Sequence, residues 1–223
     1  MKLFRGTKKE CEILINDIIQ DIISKTSPKE ELTIAIPGGR SVSGIFNLLK
    51  NNTNIKWDKT HIFLVDERYV PLNHEDSNYK LAHDTFLKDL ISSKKIREEN
   101  IHPFKIEEGI KKYEEELKKI KNYFDIVLLS SGEDSHIAGL YPHHTINDES
   151  DYFLYMNDSP KPPSKRITAS RKLIERSQHA LLVFFGENKR EALTKFLQNT
   201  NIEDAPHKII ENCPNTYIFT DLK

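Results

Sequence analysis

Residues 124–139, FDIVLLSSGEDSHIAG, run from an apolar stretch straight into a glycine, two carboxylates, a serine and a histidine. The apolar part, Ile126–Leu129, shows none of the polar alternation of a strand with one wet face. It reads as a strand covered on both sides, as in a parallel sheet with helices on each face. The polar part, Gly132, Glu133, Asp134 and His136, begins where that strand stops. Carboxyl ends of strands in an open parallel sheet form the crevice that binds ligands, so these side chains are expected at a rigid rim.

The pattern recurs on both sides of this segment. LTIAIP (32–37) is a short buried strand ended by GGR, and SVSGIFNLLK (41–50) reads as a helix with Ser41 as its cap. HIFLVDER (61–68), HALLVFFG (179–186) and TYIFTD (216–221) are further strands. Helical patterns separate them. CEILINDIIQDIISK (11–25) carries Ile15, Ile18, Ile19, Ile22 and Ile23 at helical spacing, and SNYKLAHDTFLKDL (77–90) opens on Ser77 as a cap. IEEGIKKYEEELKKIKNY (106–123) is a charged surface helix lined by Tyr113, Leu117 and Ile120, and ENKREALTKFLQ (187–198) is the last. Strands alternating with helices predict an α/β fold: a Rossmann-like, open, mostly parallel sheet with helices on both faces. The one Pro-rich stretch, NDSPKPPSKR (157–166), is read as a loop inside a single domain spanning 1–223, because strand and helix patterns resume at once on either side.

Composition narrows the function. Lys plus Arg (33) balance Asp plus Glu (34) in 223 residues, leaving a formal charge of −1. No global field points to nucleic acid or to an anionic membrane, so any anion site is local. Cys11 and Cys213 lack CxxC spacing, and Cys11 falls on the apolar face of its helix as a free thiol. No run of 18 apolar residues is present, and the first residues lack a signal-peptide pattern, so a cytoplasmic protein is expected. Monomer and dimer both stay open.

Three strand ends carry polar clusters. In PGGRS, Gly38 and Gly39 allow a tight turn that brings N–H groups close to an anion, with Arg40 and Ser41 as further donors. Asp66, Glu67 and Arg68 close the second strand. Lys161, Lys165 and Arg166 stand among prolines, a stiff basic loop suited to phosphate. Asp134 and His136 lie two apart, so the carboxylate is placed to orient the ring while its other nitrogen takes a proton from water. Each stretch also has a plainer reading: a tight turn, a capping charge cluster, a solvated basic loop. A serine nucleophile lacks its GxSxG elbow. The spacing of Asp134, His136, His143 and His144 matches no established metal site, and the other six histidines are read as surface or satisfied residues.

Taken together, IPGGRS, FLVDERYVPLNHEDSNY, FDIVLLSSGEDSHIAGLYP, DSPKPPSKRIT and FFGENKREAL, in this order, resemble the family of 6-phosphogluconolactonases and glucosamine-6-phosphate deaminases. The likeness runs nearly end to end. It implies a small phosphorylated sugar lactone as partner and hydrolysis without metal or cofactor. By the same resemblance His136 is the general base and Asp134 its carboxylate neighbour. Gly38, Gly39 and Ser41 match the phosphate loop, with Arg40 standing where the family has serine. Asp66 and Arg68 join the substrate-binding set, and Arg68, Lys161 and Arg166 clamp the phosphate. Ser130 and Ser135 replace two glycines of the family's G-x-G-x-D-G-H. A serine held at positive φ carries strain of about 1–3 kcal/mol.

Two rivals accompany this expectation. The deaminases resemble GHIAFNEP, whose glutamate completes ring opening, whereas this chain reads SHIAGLYP with Tyr141 in that place. A non-catalytic sugar-phosphate sensor is the other, suggested by Ser130 and Ser135. The helix-turn-helix of such regulators is not seen, and the near-zero charge disfavours DNA.

Overall fold

A computed structural model describes residues 1–27, 29–198 and 200–223, together with the backbone but not the side chain of Arg40. In chain order the elements are β1 (Lys2–Arg5), α1 (Lys8–Lys25), β2 (Leu32–Ile36), α2 (Ser43–Asn51), β3 (Thr60–Leu64) and β4 (Asp66–Arg68). Then come α3 (Asn78–Ala82), α4 (Lys88–Ser92), β5 (Ile101–His102), α5 (Gly109–Ile120) and β6 (Ile126–Ser130). They are followed by β7 (Phe153–Met156), β8 (Arg166–Ala169), α6 (Arg171–Glu175), β9 (His179–Phe184), α7 (Arg190–Leu197) and β10 (Asn215–Thr220).

Seven strands form a parallel sheet in the order β1-β10-β9-β6-β2-β3-β5. The side chains of β6 show why its sequence lacks alternation. Ile126 and Leu128 enter one apolar cluster with α1, α2, α3 and α4, while Val127 and Leu129 enter the other with α5, α6 and α7. A strand with a two-residue period needs apolar groups at every position when both faces are covered. Each fully buried Val, Leu or Ile contributes roughly 1.5–3 kcal/mol. The α/β expectation is met. Strand order also reverses between β2 and β6: the chain leaves β2 toward β3 and β5, and leaves β6 toward β9 and β10. A ligand crevice belongs at that switch point.

Four features depart from the sequence reading. HIFLVDER is two strands, broken at Val65. The Val65 N–H donates to Ile36 O in the main sheet (2.9 Å), while Val65 O accepts from Ala169 N (2.7 Å). Beyond it, β4 pairs antiparallel with β8, and β8 with β7, in a separate three-stranded sheet. Burial runs unbroken from Ile62 through Glu67, so the break falls inside a buried stretch. The edge strands β1 and β5 are too short and polar to be read from pattern. Ser41 does not cap α2: it lies in a 3-10 turn (Arg40–Val42), the cap position is Val42, and no side chain caps it. α1 starts earlier than read, behind a capping box in which Thr7 Oγ1 accepts from Glu10 N and Glu10 Oε2 accepts from Thr7 N. Ser77 does cap α3, accepting from Lys80 N (3.1 Å). Residues 157–165 join β7 to β8, so the Pro-rich stretch is a hairpin loop.

Candidate active site

The two strands at the switch point deliver the two halves of the site. From β2 come Pro37, Gly38 and Gly39, and from β6 come Ser130, Ser131 and Gly132. Ser41 and Ser130 touch, their hydroxyl oxygens 3.0 Å apart. One cleft is lined by these residues together with Asp66, Arg68, Asn78, His136, Ala138, Arg166 and Lys189.

His136 is held by its own loop. Gly132 N donates to His136 O (2.7 Å), and a Cβ on Gly132 would fall 2.0 Å from His136 Nδ1. The loop therefore closes this tightly only around glycine. Ser135 takes φ +73 and buries its hydroxyl without a partner among the described residues. It thus occupies the conformation for which its family motif uses glycine. Ser130 is ordinary strand, where glycine is not required.

The imidazole sits between a carboxylate and a ring. Nδ1 lies 2.5 Å from Asp134 Oδ1, and Tyr141 stacks on the ring at 4.6 Å between centroids. Burial alone would raise the Asp134 carboxyl, but the hydrogen bond and charge of His136, with Lys161, outweigh it and hold Asp134 well below the usual carboxylate range. An ionised carboxylate only accepts, so Nδ1 carries the hydrogen and the Nε2 lone pair is free. Among the described residues nothing hydrogen-bonds Nε2, and the side chain is 16% exposed. That nitrogen is available to take a proton.

The cations divide. Arg68 lines the cleft and donates from Nη1 to Asp76 O (2.6 Å). Arg166 is buried, ties down the hairpin loop through Lys161 O, Pro162 O and Pro163 O (each 3.1 Å), and brings Nη1 within 3.8 Å of buried Asp66. Lys161 is not among the lining residues of the cleft. Its Nζ lies 3.5 Å from Asp134 and 4.0 Å from Glu133, on the carboxylates beside the base. The Arg40 side chain lies outside the described residues.

Lys189 and Asn78 are among the lining residues that the sequence reading left unassigned. Lys189 follows β9, the neighbour of β6, and the rim argument applied to that strand end would have found it. Burial pushes its ammonium down, and the charge of Glu133 opposes this. Asn78, at the start of α3, carries no charge to signal it. His207, read as a surface or satisfied residue, instead lies buried beneath the site. Its backbone N–H donates to Ser135 O (3.2 Å), Nδ1 is 3.3 Å from Ser131 Oγ, and Nε2 has no partner among the described residues.

A carboxylate-oriented imidazole beside a cation-lined glycine turn, at the switch point of a parallel α/β sheet, defines the class as an α/β protein with a switch-point crevice suited to an anionic ligand. Residues 7–218 match the family described as glucosamine-6-phosphate isomerases/6-phosphogluconolactonase, and the chain belongs to it. A 6-phosphogluconolactonase of Borreliella burgdorferi is 34% identical over 95% of this chain and 93% of that protein. The crystal structure of 6-phosphogluconolactonase from Thermotoga maritima superposes with a TM-score of 0.85, at 24% identity and 98% of each chain. A monomeric glucosamine-6-phosphate deaminase reaches 0.82, at 19% identity, 99% of this chain and 97% of that one. Both structural likenesses speak for the fold alone. Among the described residues, no helix is long and apolar enough to cross a membrane.

Proposed function

We propose that this chain hydrolyses 6-phospho-D-glucono-1,5-lactone to 6-phosphogluconate, a step of the oxidative pentose phosphate pathway, in the cytoplasm. The observation that carries the reading is the His136 ring, fixed through Nδ1 by Asp134 with Nε2 free, in one cleft with the Gly38–Gly39 turn. Nε2 takes a proton from water as the water oxygen bonds to the lactone carbonyl carbon. The bond from that carbon to the ring oxygen then breaks, and the imidazolium returns the proton to the leaving alkoxide. Asp134 stabilises the charged ring between these steps. Gly38, Gly39 and Ser41, with Arg68, Arg166 and Lys189, receive the phosphate, which fixes the carbonyl over His136.

The deaminase reading is disfavoured by Tyr141. At the position of the deaminase glutamate it supplies no carboxylate, and it is buried, stacked on His136 and hydrogen-bonded to Ser159 (3.3 Å).

Acid release from freshly made lactone, measured against spontaneous hydrolysis, tests the proposal. His136→Ala is expected to lower kcat by about 10²–10⁴ while 6-phosphogluconate still binds. Full activity in that variant removes His136 from the role. Ammonia release from glucosamine 6-phosphate would favour the deaminase, and ligand binding without acceleration would favour the sensor.

A further inference from the structure

Glu67 is a buried carboxylate that the proposed chemistry does not use. It is 1% exposed, and no cation pairs with it among the described residues. Oε1 accepts from Arg68 N and Asn78 N, each at 2.7 Å, and Oε2 accepts from Tyr79 N (2.8 Å) and Ser77 Oγ (3.0 Å). Three of these donors are backbone N–H groups, which cannot accept, so both oxygens must act as acceptors. Burial without a cation pushes the Glu67 carboxyl up, and the three backbone N–H bonds oppose this.

What these bonds fix is the cleft. Arg68 and Asn78 both line it, and Glu67 holds the backbone of each. Asn78 passes the constraint on. Its Nδ2 donates to Asp66 O (2.9 Å), and its Oδ1 presses on the glycine turn so closely that a Cβ on Gly38 would lie 1.8 Å away. That Oδ1 is buried without a hydrogen-bond partner among the described residues. The side chain therefore stands where its backbone puts it, against its own preference.

We infer that Glu67 is a positioning residue, whose carboxylate sets Arg68 directly and the Gly38–Gly39 turn through Asn78, and so governs affinity for the phosphate end of the substrate. This rests on the proposed phosphosugar reading. The test is therefore built on inorganic phosphate, whose binding does not require turnover.

In the full chain, Glu67→Gln keeps the shape but turns an NH2 group toward two of the four donors. Titration calorimetry with inorganic phosphate is expected to show affinity at least tenfold weaker. The lactone KM should rise by the same factor, with kcat within threefold of wild type. Ile19→Val, on the buried face of α1, serves as a control for lowered melting temperature and should change neither constant. Unchanged phosphate affinity in Glu67→Gln overturns the inference. So does equal weakening in the control, or wild-type protein that binds no phosphate. Should Glu67→Gln not fold, Asn78→Ala, which removes the contacts to Asp66 and Gly38, is held to the same criteria. Wild-type protein that binds phosphate but leaves the lactone untouched would sink the lactonase reading and leave this inference standing.

Discussion

Lys161 Nζ lies 3.5 Å from Asp134 Oδ2, the carboxylate oxygen that His136 leaves free. The proline-rich hairpin loop thus reaches back and sets a cation on the partner of the base, while Lys189 stands in the cleft with the glycine turn.

The two lysines are expected to fail differently. Lys161→Ala removes one of the charges holding Asp134 low, so kcat should fall roughly 3–10-fold with KM within about threefold. Lys189→Ala removes the cation that the proposed function sets against the phosphate, a loss of about 1.5–3 kcal/mol, so KM should rise roughly 10–100-fold with little change in kcat. Steady-state kinetics of both variants decide it, and the opposite pattern would return Lys161 to the phosphate.

Ser135→Gly is expected to stabilise the protein. It relieves a serine at φ +73 and deletes a buried hydroxyl that has no partner among the described residues. Those gains exceed the entropic cost of glycine, about 0.5–1 kcal/mol, for a net effect of about 1 kcal/mol and a Tm roughly 2–4 °C higher. A lower Tm would mean that the loop finds no strain at this position.

His207 makes stability depend on acid. Burial pushes its imidazole down to about 3 from an ordinary 6.5, with the charge of Lys208 adding to the effect. The unfolded chain takes up this proton below about pH 6.5 and the folded one refuses it, so the contribution is complete above that pH. It is lost at about 1.4 kcal/mol per pH unit as pH falls from 6.5 toward 3. Urea unfolding at pH 7 and pH 4.5 should show His207→Phe losing roughly 2–3 kcal/mol less than wild type over this interval. Parallel pH slopes in the two proteins would count against it.

Sheet class and the convergence of three strand ends were legible because both follow from burial. Ile126–Leu129 has apolar groups at every position, and the residues after a buried parallel strand must emerge at the rim. That inference needs only strand ends, and it reaches Gly38, Gly39, Ser41, Asp66, Arg68 and His136 without any contact being known. Arg166, although it follows a loop rather than a main-sheet strand, is reached through its basic, proline-flanked setting. Whatever depends on contact between distant segments was not legible. Nothing in the sequence around Lys161 says that its ammonium meets Asp134 rather than the cleft, and nothing near Asn78 shows that its carboxamide presses on Gly38. The break at Val65 stayed hidden because the residue is equally buried in either sheet. The cap assigned to Ser41 failed because its hydroxyl meets Ser130 instead.

Val65 also says how the two sheets beside the cleft are joined. One residue is stitched to both sheets, its N–H to Ile36 on one side and its C=O to Ala169 on the other, and Ile36 leads into the glycine turn. The smaller sheet has no freedom to swing like a jaw without dragging the cradle along. The 157–165 loop is pinned by Arg166 of β8, so the cation it sets beside Asp134 rides on the same frame as the glycine turn.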